Sequence, residues 1–384
     1  MQWTVKIATV MFLLLLLHMT RQLPLYGAEA ARDFLSVVDL LYFPAGIIVA
    51  SYFCRRSRWE NFIFKFSAAW LIYGSIYSLT MPFSEKLQAI SPVGVGLAQS
   101  IPIFGFYLTA PLVSAFGIYA LSTVGTGIFK AKIVDKKVML TLAVCAWAYV
   151  LLLGQGRGIL GSIFIGFFVL ALLGHYRVAG RFTLFLLTAV VVVLFISSLG
   201  ITVEGRTGTV SVDTFVNRFA SIFGSGTDEA GIDGVNQRAE WWASALKLWS
   251  QDSFSMIFGV GYGPALTDFV TPLGTPVREP HNSYLSALTR GGVLYLCAWI
   301  YMVALSISAA LKLARMEEIS LFKNLALSYF LLLLTMAIIG FVQPLFETPS
   351  LAFIFYFFGG AFYARVRHLR KERAINRRLR LLVV

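Results

Sequence analysis

His281 opens the run His281-Asn282-Ser283-Tyr284-Leu285 and closes a polar stretch, residues 202–280, that interrupts an otherwise apolar chain. Four histidines are present, and this one alone stands at the mouth of an apolar helix on the side where the polar stretch emerges. A neutral imidazole accepts a proton near pH 7. Arg157, Arg218, Arg238, Arg278 and Arg290 fall on that same side. Guanidinium groups stay charged at any working pH and grip phosphate oxygens in pairs. One base ringed by fixed cations beside a bilayer points to chemistry on an anionic lipid.

The arginines differ in how strongly their surroundings suggest this. Arg157 lies between Gly156 and Gly158, just ahead of an apolar segment. Glycines admit a ligand close to the backbone, and the first turn of a helix offers unpaired N–H groups and a partial positive pole. A plain snorkelling arginine would need no flanking glycines. Arg238 precedes Trp241 in the first turn of an amphipathic segment, where a cation opposes the helix dipole unless an anion binds there. Arg218, in Val216-Asn217-Arg218-Phe219, fits either a phosphate contact or an interfacial helix. Arg278 and Arg290 flank His281 and fit supporting or purely structural roles. The alternative for His281 is a ring that only bonds a loop carbonyl.

Absences narrow the chemistry. The sequence contains no P-loop, no HExxH and no His/Cys cluster, and residues 202–280 contain no paired D-x-D. Neither a metal nor a cofactor is expected. Cys54, Cys145 and Cys297 all fall outside 202–280, so no disulfide framework is expected there. The glycines of Gly259-Val260-Gly261-Tyr262-Gly263-Pro264 lack the strand–helix context of a dinucleotide site and predict a turn that positions residues 264–280.

The elements that must position these groups are membrane helices. The chain has 384 residues, 58% hydrophobic and 13% charged, with mean hydropathy +0.76; soluble domains carry about a quarter charged residues. Runs of about 20 apolar residues cross a hydrocarbon core, and only helices satisfy their own backbone there. Such runs occur at 4–20, 34–54, 62–81, 100–123, 138–154, 159–174, 182–201, 283–311, 320–341 and 348–364. The expected fold is an all-α polytopic integral membrane protein of about ten transmembrane helices, with a large external loop carrying amphipathic helices. It divides into an N-terminal bundle (1–201), the external loop (202–280), a C-terminal bundle (281–364) and a basic tail (365–384). Within the loop, 224–234 reads as a mobile turn. Trp241, Trp242, Ala245, Leu248 and Trp249 form the apolar stripe of a helix over 236–250 that would lie along the outer interface. Residues 1–20 also fit a secretory signal with Ala28-Glu29-Ala30 as its cleavage site, a lesser reading because Arg21 follows the apolar run.

The net charge of +13 does not indicate nucleic acid. Most of the 32 Lys and Arg sit in short connections and in the tail Arg365–Arg380. Ten crossings place all of those clusters on one side, the positive-inside pattern, with both termini cytoplasmic. The tail is then a contact for anionic membrane lipids.

Four pieces in this order resemble the O-antigen ligase and Wzy-type polysaccharide polymerase superfamily over residues 140–345: Gly156-Arg157-Gly158; Arg238 with Trp242; the 259–263 glycine run; and His281-Asn282-Ser283-Tyr284-Leu285 followed by Gly291-Gly292. The resemblance implies a glycosyltransferase of the bacterial inner membrane, with the large loop in the periplasm. Its donor would be a glycan on undecaprenyl diphosphate. Its acceptor would be another glycan or lipid A-core, and polysaccharide assembly proteins would be its neighbours. Catalytic roles carry over to Arg157, Arg238 and His281, diphosphate binding to Arg157, Arg238 and Arg218, and a supporting role to Arg278 and Arg290. Gly156 stands where relatives more often have serine, and the low span count favours polymerase slightly over ligase. A transporter or flippase of lipid-linked saccharides is the alternative, and a non-catalytic assembly scaffold a third.

Overall fold

The computed structural model describes residues 2–55, 58–79, 109–124, 157–199, 229–270 and 277–382, with a few isolated positions between them. Beyond two antiparallel pairs of two residues each, Val93–Gly94 with Ile101–Pro102 and Glu204–Gly205 with Gly208–Thr209, the described chain is helical. In the first half lie α1 (Gln2–Tyr26), α2 (Ala28–Val38), a 3-10 turn (Asp39–Leu41), α3 (Tyr42–Arg55), α4 (Trp59–Leu79), α5 (Thr109–Thr123), α6 (Arg157–Leu172) and α7 (Tyr176–Ser198). The second half supplies α8 (Glu229–Trp249), α9 (Ser253–Phe258), α10 (Ser283–Met316), α11 (Ser320–Ile339) and α12 (Pro349–Leu382).

Among the described residues, five helical stretches are long and apolar enough to cross a membrane: Thr9–Tyr26, Ala28–Phe53, Ser283–Met316, Leu321–Ile339 and Pro349–Leu379. The protein is therefore an integral membrane protein. These five answer to five of the ten expected spans. The expected 100–123 and 159–174 are shorter apolar helices, Pro111–Thr123 and Gly158–Leu172, while 62–81 and 182–201 coincide with α4 and α7. The expected 138–154 lies outside the described residues.

One boundary moves substantially. The expected outward connection at 21–33 is helical almost throughout: α1 continues to Tyr26 through Pro24, and α2 starts at Ala28. Only Gly27 turns the chain, at φ 54°, with its N–H bonded to the Leu23 carbonyl at 2.8 Å. The polarity that suggested a loop belongs to one face of α2, where Asp33 is buried.

α3 and α12 pack most extensively, with α10 beside α12 and α11 beside α10. Their crossing is close because glycines face backbone: a Cβ on Gly46 would lie 2.1 Å from the Phe357 carbonyl oxygen, and one on Gly360 2.0 Å from that of Phe43. Small residues let membrane helices approach this way, and dispersion takes over where no hydrophobic drive exists. Buried hydroxyls find partners across helices, Ser67 with Tyr329 at 3.0 Å and Tyr119 with Thr335 at 2.8 Å.

Within residues 202–280 one boundary also differs from expectation. α8 begins at Glu229 and absorbs much of the segment read as a mobile turn. Its tryptophans also turn inward. Trp241 is buried against Phe269 and His281, Trp242 packs on the small Ala245/Leu266/Leu285 cluster, and Trp249 donates its indole N–H to the Met256 carbonyl at 3.0 Å. Through this stripe α8 seats on the start of α10.

A backbone-to-backbone dock holds this layer. α10 is broken at Gly292, which takes φ 70°, and the glycine loop after α9 lies in the break. Val260 N–H donates to the Thr289 carbonyl at 2.8 Å and Gly261 N–H to that of Arg290 at 3.1 Å. A Cβ on Gly259 would lie 2.2 Å from the Arg290 carbonyl oxygen, and one on Gly292 2.2 Å from that of Ile257. Gly259→Ala or Gly292→Ala should therefore lower thermal stability far more than Gly27→Ala. The last position has φ 54° but nothing within 4 Å of the new methyl, so only backbone strain of order 1–3 kcal/mol applies. Thermal unfolding of the three purified variants in one detergent checks the order.

Candidate functional site

His281 is positioned by the cap that follows it. Asn282 is the N-cap of α10, and its side-chain oxygen accepts from the N–H groups of Tyr284 and Leu285, each at 3.0 Å; asparagine is among the strongest residues at this place. Ahead of it, His281 takes φ 52°, and among the described residues it is the sole non-glycine with positive φ. Such conformations cost of order 1–3 kcal/mol and persist where surroundings impose them. Here the clamps are visible. The Trp241 ring lies 4.9 Å from the imidazole, centre to centre, and Trp242 Nε1 donates to the carbonyl of Pro280 at 2.9 Å.

His281 Nδ1 is 3.2 Å from the Glu279 carbonyl oxygen. A neutral ring that donates there keeps its lone pair on Nε2, the arrangement of a general base. Burial is the largest influence on this imidazole and lowers its pKa. The bond to the Glu279 carbonyl opposes that, the Arg238 guanidinium lowers it further and the Glu279 carboxylate raises it, leaving the pKa below its ordinary value. That direction favours the neutral ring near pH 7.

Arg238 projects from α8 three residues before Trp241, close enough to exert that field on His281. Arg157 is the first residue of α6. Its neighbour Gly158 abuts Val342, whose Cγ2 would be 2.9 Å from an added Cβ. Val342 belongs to the loop between α11 and α12, and that loop closes on Ser283: Ser283 N–H donates to the Gly340 carbonyl at 2.8 Å, and its hydroxyl to that of Gln343 at 3.2 Å. The start of α6 and the start of α10 thus share one neighbouring loop. Arg218 lies outside the described residues.

Arg278 and Arg290 are committed to carboxylates. Arg290 contacts Asp33 at 3.1 Å and Glu279 at 2.5 Å. Arg278 contacts Glu29 at 2.6 Å and Asp33 at 3.1 Å, and it also bonds the Gly263 carbonyl. Asp33 further accepts from Gly263 N–H at 3.1 Å and pairs with Arg32 at 2.8 Å. The side chains of Asp33 and Arg290 are 3% and 4% exposed, so the network is internal and ties α2 to the glycine loop and α10.

Glu347, which the sequence reading did not single out, lies beneath Ser283. The Ser283 hydroxyl donates to its carboxylate at 2.5 Å, and the pair lines a cavity of about 20 Å³ with Tyr262, Ser286, Arg290 and Trp299. Burial, reinforced by the Glu279 carboxylate, raises Glu347 to about 7 against hydrogen bonds from Ser283 and Ser286. Its only sequence signal is a carboxylate just ahead of a proline that opens an apolar run. No three His, Cys, Asp or Glu among the described residues group to hold a metal.

Residues 140–300 match the family model described as O-antigen ligase, which supports the O-antigen ligase and Wzy-type resemblance and implies ligase- or polymerase-type chemistry at a membrane. Comparison with curated proteins gives no significant match.

Two expected outcomes follow from the carboxylates. Asp33→Ala takes one of two carboxylates from each of two arginines and should cost up to about 3–5 kcal/mol of stability, whereas Glu29→Ala, at 46% side-chain exposure, should cost under about 1 kcal/mol; thermal unfolding distinguishes them. A carboxyl whose folded pKa lies above its unfolded value loses stability as pH climbs between the two. Glu347, raised from 4.5 to about 7, should therefore weaken the fold progressively over that window. Glu347→Gln should gain stability relative to wild type as pH rises from 5 to 7.5; a difference that does not change with pH would refute the protonated carboxyl.

Proposed function

We propose that this chain, O-antigen ligase-like over residues 140–300, transfers an undecaprenyl-diphosphate-linked glycan to a sugar hydroxyl in surface polysaccharide assembly. The reading places it in the bacterial inner membrane, with residues 202–280 in the periplasm and both termini in the cytoplasm. The observation that carries it is the meeting of Arg238, Trp241 and a strained, neutral His281 at the mouth of α10.

The reaction is a displacement at the anomeric carbon. The acceptor hydroxyl attacks from the face opposite the diphosphate, the bond to the phosphate oxygen breaks, and configuration inverts. His281 Nε2 takes the hydroxyl proton. Arg238 and Arg157, with Arg218, hold the leaving diphosphate; negative charge grows on it as the bond breaks, so fixed cations favour the transition state over the ground state. The N–H groups at the start of α6 add to that field. No metal and no soluble cofactor takes part. Arg278 and Arg290, already neutralised by Asp33, Glu29 and Glu279, act by fixing the loop that presents His281. Polymerisation is favoured slightly over transfer to lipid A-core. A deletion strain separates them: single repeats on core indicate a lost polymerase, long chains left on carrier lipid a lost ligase.

Asp39, buried in the turn between α2 and α3 with one carboxylate oxygen lacking a hydrogen bond, is the feature a transporter or flippase would use. Purified protein in detergent, mixed with lipid-linked glycan and acceptor, decides between the readings, since transfer without two compartments requires an enzyme. His281→Ala and Arg238→Ala should each lower the transfer rate by about 10²–10³ at unchanged protein level. Wild-type rates in either variant would sink the assignment.

A further inference from the structure

The end of α10 and α12 remote from His281 holds a groove of about 260 Å³ that the transfer chemistry does not use. Its floor is apolar, including the buried Ala309 and Val366. Four cations line it: Lys312 from α10, and Arg367, Arg370 and Lys371 from α12. The last three occupy positions i, i+3 and i+4, one helix face, where like charges repel.

The nearby carboxylates are engaged elsewhere. Glu317 pairs with Arg365 at 3.3 Å, Glu318 with Arg373 at 3.7 Å and Glu372 with His368 at 3.1 Å. Among the described residues, none of the four groove cations has a carboxylate within ion-pair distance. The groove thus offers an anion four cations that no carboxylate neutralises. The apolar floor says which kind: a free phosphate would leave it bare, while a phosphodiester that carries an acyl chain covers floor and rim together. Basic pockets between membrane helices bind anionic lipid headgroups on these terms. Cations that merely snorkel to bulk headgroups need no shared cavity.

We propose that this groove is a discrete binding site for an anionic phospholipid of the adjoining leaflet, its phosphodiester held by Arg367, Arg370, Lys371 and Lys312. It is separate from the glycosyl-transfer reading and stands or falls without it. The test is native mass spectrometry of the full-length protein in detergent, titrated with phosphatidylglycerol or with phosphatidylcholine. Wild type should retain phosphatidylglycerol selectively. Arg367→Gln combined with Arg370→Gln should lower retention about tenfold or more, while Arg377→Gln with Arg378→Gln, the same charge loss further along α12, should not. Lys312→Gln, at an exposed position, gives a smaller loss and a second reading if the double variant fails to fold. Equal losses in the two double variants, unchanged retention in the groove variants, or displacement of the lipid by millimolar inorganic phosphate would each overturn the site.

Discussion

The carboxylate of Asp33 is the constraint on which the layer formed by α2, the glycine loop and the start of α10 depends. It takes Arg278 and Arg290 at 3.1 Å each, together with the Gly263 N–H. Ion pairs this deep seldom add net stability, because desolvation offsets most of the attraction, but losing one partner is severe. What the cluster supplies is register. α2, the glycine loop and the first turns of α10 can come together in one arrangement that leaves no buried charge unmatched. His281 lies between Arg278 and Arg290 in the chain, so its position is fixed from both sides.

The glycine dock supplies the remaining geometry. Gly259, Gly261 and Gly263 all take positive φ, which lets loop backbone lie directly on helix backbone where side chains would collide. The same loop meets α1 at His18 and Gln22, so the first helix of the chain closes the far side of this layer. Rigid elements around a candidate base matter because a displacement of about 1 Å can cost about a hundredfold in rate.

Much of this was legible in the sequence. Apolar runs located the five helices among the described residues that are long enough to cross a membrane, and the Asn282 cap with its following stripe located the start of α10. Arg157, Arg238 and His281 were expected to share one site; of these, Arg238 and His281 lie within electrostatic reach of each other. The glycine run was read as a turn, which it is; that its partner is the Gly291-Gly292 break was not visible, because backbone contact leaves no pattern in side-chain types. Asp33 and Glu347 were missed for a related reason: a single acid beside an apolar run looks the same whether it faces solvent or an arginine a long way along the chain. The tryptophan stripe of α8 was legible as amphipathic, but periodicity cannot say whether lipid or protein covers an apolar face.

The break at Gly292 bears on how the protein meets bilayers of different thickness. A straight helix of 34 residues would be about 51 Å long, well beyond a hydrocarbon layer of about 30 Å. Severed at Gly292, the portion from Val293 to Met316 is about 36 Å and can absorb mismatch by tilting. The portion before it stays latched to the glycine loop. Tilt below the joint therefore leaves the imidazole at the same height, and the depth of the candidate site is set by protein contacts rather than by the thickness of the surrounding lipid.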